Sequence, residues 1–166
     1  LHEFEEGVSV EIILWRHAEA KSGETDDKRA LSVKGRKQAA KMAEWLDANL
    51  PQRCKVLVSP SLRTVQTAEA LGRKFRVLPD LGPDADPFTV LSAANWPEAK
   101  GPVVIVGHQP ALGQIAALLM SGTQQDWRIR RGDVWWLAEK ERKKSGERGI
   151  FLRVVMSPEM IGSSFR

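Results

Sequence analysis

Along the first 120 residues, apolar runs of strand length alternate with stretches whose apolar positions recur at helical spacing. Val8 to Trp15 (VSVEIILW) becomes almost wholly apolar, the pattern of a strand covered on both faces. A polar stretch from Ala18 to Arg29 reads as a surface loop. Ser32 then stands where an N-cap belongs, ahead of a helix with apolar positions at Ala39, Ala43, Leu46 and Leu50, and Pro51 stops it. Lys55 to Val58 is a short strand. Ser59 and Pro60 form an N-cap and first-turn pair for a second helix through Leu62, Val65, Ala68 and Leu71, which Gly72 ends. Phe75 to Leu78 reads as a short edge strand, and Asp80 to Pro87 as a loop rich in turn residues. PVVIV at 102–106 is a buried strand by composition, and Ala111 to Met120 a buried helix with Leu112, Ile115, Ala116 and Leu119 on one stripe.

The remainder of the chain differs. Val134 to Ala138 and Ile150 to Met156 are apolar, β-rich runs joined by a charged loop around Ser145-Gly146, which predicts an antiparallel hairpin. The alternation ahead of them predicts a parallel sheet with helices on both faces, extended by the hairpin at one edge. The expected fold class is therefore α/β: a three-layer α/β/α sandwich with a mainly parallel central sheet and a C-terminal antiparallel hairpin. With no internal repeat or linker, residues 1–166 are expected to form one domain, residues 1–7 being frayed or foreign to the native chain.

Composition narrows the class. A hydrophobic share of 42% with 28% charged residues excludes wholesale disorder. The longest apolar run is six residues, against the ~20 a membrane helix needs. LHEFEEG at 1–7 lacks the basic start and apolar stretch of a secretory signal. Cys54, the single cysteine, can form neither an internal disulfide nor a thiolate cluster, and reads as a small buried hydrophobe in a reducing compartment. A cytoplasmic monomer without membrane contact is expected. The net charge of +4 mildly favours an anionic partner.

Ligands of parallel α/β sheets bind beyond the carboxyl ends of the strands, so the residues after each apolar strand matter most. Arg16 and His17 follow the first strand. Ser59, Pro60 and, in the first helical turn, Arg63 follow the second; Gly107 and His108 follow the third. Two of the chain's three histidines thus reach one edge together with two arginines. Arg63 adds charge to a helix N-terminus that already carries about half a positive charge, a cost that an anion relieves. Guanidinium forks bind phosphoryl oxygens bidentately, and a neutral imidazole is a competent nucleophile towards phosphorus. A second imidazole, when protonated, can stabilise the equatorial oxygens in the transition state. These residue types permit phosphoryl transfer through a phosphohistidine on the protein, with neither metal nor other cofactor.

Competing chemistries fit worse. There is no HExxH, and Asp80, Asp84 and Asp86 lack the glycine and terminal glutamate of a calcium loop. P-loop, G-x-G-x-x-G and G-x-S-x-G patterns are absent. A cysteine phosphatase needs an arginine six positions after its cysteine, where this chain has Pro60, and the lack of tyrosine excludes phenol-based schemes.

LWRHAEA at 14–20, SPSLRTVQTAEAL at 59–71 and VIVGHQP at 104–110 together resemble the histidine phosphatase superfamily. The short length, KRALSVKGRKQA at 28–39 and LPDL at 78–81 are most similar to its small SixA-type phosphohistidine phosphatases. The resemblance implies that His17 is the nucleophile that becomes phosphorylated, that Arg16 and Arg63 grip the phosphoryl oxygens, and that His108 completes the pocket as a donor. Arg29 matches a loop arginine that can approach the same pocket to bind substrate, a solvated loop charge being the alternative. Asp80 falls where larger members carry an acidic proton donor, one methylene shorter than the usual glutamate, and Glu19 is a second candidate by its nearness to His17. Ala18 stands where many members have glycine.

The length leaves little room for an insertion over the site, and an open pocket suits a phosphorylated protein side chain. The activity so implied is hydrolysis of phosphohistidine in a partner protein; a small phosphate ester, or binding of phosphorylated partners without turnover, are the alternatives. WRIRR at 127–131 and EKERKKSGER at 139–148 raise nucleic-acid binding, but the mixed charges of the latter read as a solvated hairpin tip, and no nucleic-acid partner is expected. The six tryptophans are expected in core and edge packing.

Overall fold

The apolar runs become β1 (Val8–Arg16), β2 (Lys55–Val58), β3 (Arg76–Val77), β4 (Val103–Gly107), β5 (Val134–Glu141) and β6 (Arg148–Met156). In the computed structural model, which describes residues 8–141 and 148–162, they form one sheet ordered β3-β2-β4-β1-β5-β6. The first four strands run parallel, and β5 and β6 continue the sheet antiparallel on the free side of β1. Flanked by β1 and β2 and covered on both faces, β4 is buried at every residue.

Four helices are described: α1 (Val33–Asn49), α2 (Leu62–Glu69), α3 (Pro87–Ala93) and α4 (Ala111–Ser121). Successive strand residues point to opposite faces. Ile13 and Trp15 of β1 therefore pack with Met42 and Leu46 of α1 and Ala68 of α2, whereas Ile12 and Leu14 pack with Val90 of α3 and Leu112 and Ile115 of α4. This is the expected three-layer sandwich with its hairpin at one edge. Within β1, Glu11 is fully buried and held by Arg153 of β6 at 2.5 Å. The tryptophans Trp15 and Trp136 are buried in the α1/α2 layer, with Trp45 packed edge-on to Trp136.

Local differences from expectation have local causes. The second helix begins at Leu62 with Ser61, not Ser59, as its N-cap, and the Ser59 hydroxyl lies instead against His108. It ends at Glu69, and Gly72 (φ +70°) makes the left-handed turn beyond it. Pro87–Ala93 forms a helix too short to show a period in the sequence, its N-terminus capped by the Asp86 carboxylate on the Thr89 N–H at 3.0 Å. The edge strand narrows to two residues. Cys54 is half-buried rather than buried. Residues 1–7 and the Ser145-Gly146 tip, for which fraying and solvation are expected, lie outside the described residues. Among those residues no helix is long and apolar enough to cross a membrane.

The loop leaving β1 is clamped on the first turn of α1. Ser32 caps that helix, its Oγ accepting from the Gly35 N–H at 3.0 Å while its own N–H donates to the Glu19 carbonyl at 3.0 Å. Gly35 lies flat on the same carbonyl, and a Cβ there would stand 1.9 Å from the Glu19 oxygen. Alanine for glycine inside a helix ordinarily gains about 1 kcal/mol. Gly35→Ala is instead expected to cost about 1–3 kcal/mol through overpacking against backbone, read as a lower urea midpoint.

Candidate active site

Strand order gathers the site. The His17 N–H donates to the Gly107 carbonyl of β4 at 3.1 Å, and the Ser59 N–H to the Val106 carbonyl at 3.1 Å. The residues that follow β1, β2 and β4 thus leave the sheet side by side. His17 and His108 come within 5.4 Å, ring centroid to centroid. Arg63, in the first turn of α2 and only 3% exposed, lies against both: its Nη2 donates to His108 Nδ1 at 3.2 Å, and its Nε approaches His17 Nε2 at 3.4 Å.

These contacts fix the tautomers. His17 Nδ1 lies 2.8 Å from the Ala18 carbonyl oxygen, which can only accept, so the ring proton sits on Nδ1 and Nε2 presents its lone pair. A guanidinium can only donate, so His108 Nδ1 is the acceptor. Its Nε2 then carries the proton and donates to Ser59 Oγ at 2.7 Å.

Burial comes first among the causes that hold His17 down at about 4; repulsion from Arg63, Arg16 and Arg29 adds to it, against the opposing hydrogen bond to Ala18. Burial, then Arg63, then His17, push His108 down to about 3. Both rings are therefore neutral near pH 7, as a nucleophilic imidazole must be. In the free protein His108 is a neutral ring whose one N–H, on Nε2, is donated to Ser59.

Arg16, half-buried, donates from Nη1 to the Ile129 carbonyl at 2.9 Å. Its Nε is buried with no hydrogen-bond partner among the described residues. Burial, followed by repulsion from Arg131, Arg128 and Arg63, lowers the pKa of this guanidinium.

One residue at the site was not singled out by sequence: Asp26. Its main-chain oxygen accepts from Arg63 Nη1 at 2.5 Å, and its carboxylate bridges Arg63 Nη2 and Arg29 Nη2, each at 3.1 Å. Slight burial would raise its pKa, but the hydrogen bonds from Arg63 and Arg29 outweigh it and hold the carboxyl below the usual range. Arg29 is thus tied to the site through Asp26. The sole signal in the sequence was position, three residues before Arg29 in a loop that leaves His17.

Neither foreseen acid bonds to His17, Arg63 or His108 among the described residues. Glu19 accepts from Ser32 Oγ at 3.2 Å and lies 3.8 Å from Lys34 Nζ, facing α1. Asp80 is exposed and lines a groove with Lys55, Arg76 and Asn95 at the β3 edge. No three His, Cys, Asp or Glu side chains among the described residues could hold a metal ion together. What the geometry offers is one unprotonated imidazole nitrogen, met at 3.4 Å by the Arg63 guanidinium, which suits a tetrahedral dianion.

Comparison with known proteins places the chain among phosphatases. The model of the histidine phosphatase superfamily (branch 1) matches residues 12–84. Phosphohistidine phosphatase SixA of Escherichia coli (strain K12) is 31% identical over 122 residues, 68% of this chain and 76% of the relative. The solved structure of the protein histidine phosphatase SixA complexed with tungstate aligns with a TM-score of 0.72 at 26% identity, covering 90% of this chain and 98% of that one. A mutant phosphoserine phosphatase from Entamoeba histolytica, in complex with phosphoserine, shares the fold at a TM-score of 0.64 and 14% identity, covering 90% and 98% of the two chains.

Keeping two imidazoles neutral links folding to pH. Below an ordinary histidine pKa of about 6.5, the unfolded chain takes up protons that the folded one refuses until about 4 at His17 and about 3 at His108. Stability therefore falls as the pH drops through that window. The urea midpoint is expected to decline between pH 7 and pH 5, with a shallower pH slope in His108→Asn; an unchanged slope would mean that other groups set it.

Proposed function

Since the chain belongs to the histidine phosphatase superfamily, we propose that it hydrolyses phosphohistidine in a phosphorylated protein, through a phosphohistidine formed on its own His17. The observation that carries this reading is the Nε2 lone pair of a neutral His17, facing Arg63 beside His108. The 31% identical SixA relative supports the substrate class. A small phosphate ester is the alternative substrate. A single domain acting as a cytoplasmic monomer belongs to the same reading, and the lone Cys54, its thiol pushed up to about 11 mainly by burial, is suited to no redox chemistry.

Arg16 and Arg63 hold the phosphoryl oxygens, Asp26 giving way, and Arg29 follows its released carboxylate or the substrate. The His17 Nε2 lone pair attacks phosphorus. The substrate P–N bond breaks, and its electron pair leaves on the substrate imidazole, which is protonated from solvent. Charge that builds on the His17 ring is met by the Ala18 carbonyl at Nδ1. Water then attacks phosphorus and the P–N bond to His17 breaks; Nε2 recovers its lone pair, the water proton passes to solvent, and inorganic phosphate departs. His108, gaining a proton as the dianion arrives, stabilises the equatorial oxygens with Arg63. Imidazole leaves readily, so the step does not depend on Glu19 or Asp80.

His17→Ala is expected to abolish both turnover and covalent labelling by phosphoramidate, and retained activity would overturn the choice of nucleophile. Arg63→Ala should cost about 10²–10³ in kcat by removing donors to the transition-state oxygens. Measured side by side, a phosphohistidine peptide should be turned over faster than phosphoserine or p-nitrophenyl phosphate; the reverse order would point to an ester.

A further inference from the structure

Beside Arg16 opens a cleft of about 540 Å³ that His17, Arg63 and His108 do not line. One wall is a face of α1. Lys34, Lys37 and Lys41 stand at i, i+3 and i+7, so they project from one side and track about 10 Å of the helix axis. The other wall is the segment before β5, where buried Ile129 separates exposed Arg128 from exposed Arg130 and Arg131. Gly132 (φ +81°) turns the chain there, and its N–H donates to the carbonyls of Arg16 at 3.1 Å and His17 at 3.0 Å. The arginine wall is thereby pinned to the strand that carries the candidate nucleophile. Seven basic side chains line the cleft against two carboxylates, Glu19 and Glu159, the latter 3.2 Å from Arg130.

Surface lysines alone are usually a solvated face. Here Arg16, at the join with the active site, has its buried Nε unpartnered among the described residues, and Arg128 and Arg131 repel its charge. Small-molecule sites are lined mainly by apolar and aromatic groups, whereas Pro158 is the one apolar residue lining this cleft. Nucleic-acid grooves supply aromatic platforms; the neighbouring Trp127 is committed to Trp135 at 6.3 Å and to Gln125 at 2.9 Å.

We infer that this cleft docks the acidic face of a phosphorylated protein substrate, whose Asp and Glu side chains flank the phosphohistidine delivered to His17. The inference rests on the reading of the site as a protein phosphohistidine phosphatase. Opposite charge on the partner would speed encounter and set register, while the chemistry stays with the imidazoles.

The test uses two phosphohistidine peptides of equal length, one flanked by Glu and one by Ser and Gly, with the wild type, Lys37→Glu/Lys41→Glu/Arg131→Glu and the milder Lys37→Gln/Lys41→Gln. The wild type is expected to prefer the Glu-flanked peptide by about tenfold in kcat/KM at low salt. High salt and the triple reversal should abolish that preference and the milder pair should halve it or more, while the Ser-Gly peptide keeps its rate. Equal use of both peptides by the wild type, or a preference that survives the triple reversal, overturns the groove. So does inhibition by a single-stranded oligonucleotide where an unphosphorylated Glu-rich peptide of equal charge does not inhibit, which would make the cleft a nucleic-acid site. If the wild type turns over neither peptide, the phosphatase reading fails instead. The groove is then decided by binding of the Glu-rich peptide alone, which supports it when the triple reversal weakens binding and overturns it when binding is absent or unchanged.

Discussion

A buried guanidinium between two imidazoles governs this molecule. Arg63 is almost wholly removed from water, and an uncompensated charge in such a place costs several kcal/mol. Its compensation is also its use. Donating to His108 Nδ1 and approaching His17 Nε2, it selects the tautomer of one ring and faces the lone pair of the other. Its charge adds to burial, the larger cause, in keeping both rings neutral. Lysine, with its donors on one point and no planar fork, could not span two rings and a carboxylate at once.

Sheet topology makes that arrangement possible and gives β1 two different flanks. On one side lies β4, which delivers His108 and accepts the His17 N–H on Gly107. On the other lies β5, whose approach segment carries three exposed arginines and turns at Gly132 onto the carbonyls of Arg16 and His17. Arg16 stands where the two flanks meet. It lines the cationic cleft while its charge reaches both imidazoles, so a single residue links the candidate site to that surface.

Much of this was legible in the sequence because buried parallel strands are continuous apolar runs and the chain has so few histidines. Residues 16, 17, 63 and 108 could be placed at one edge from order alone. The share of Ser59 in holding His108 could not, because a serine followed by proline reads equally well as a helix cap. Asp26 was illegible for a related reason: its carboxylate acts through a loop crossing to α2, a contact without local pattern. The protonation of His108 depends first on its burial and then on the charges around it, neither of which has a local pattern. The cleft joins α1 to a segment some ninety positions away, and only the packed structure shows that three lysines on a helix face three arginines.

Asp26 finally bears on selectivity. Its side chain is 61% exposed, and its pair with the part-exposed Arg29 is of the surface kind worth about 0–1 kcal/mol, whereas Arg63 on its other side is buried. It holds Arg63 and Arg29 in place, and a phosphoryl dianion would bring more charge to the same donors. Two arginines keep it ionised, which makes it a poor proton donor. Glu19 is engaged by Ser32 and faces Lys34. Asp26 and Glu19 are thus engaged in positioning, which under the proposed reaction would favour a leaving group that departs with little help over an alkoxide. Under the proposed reaction, the arginines that hold Asp26 in its ionised form would leave it unable to protonate an alkoxide, which an imidazole leaving group does not require.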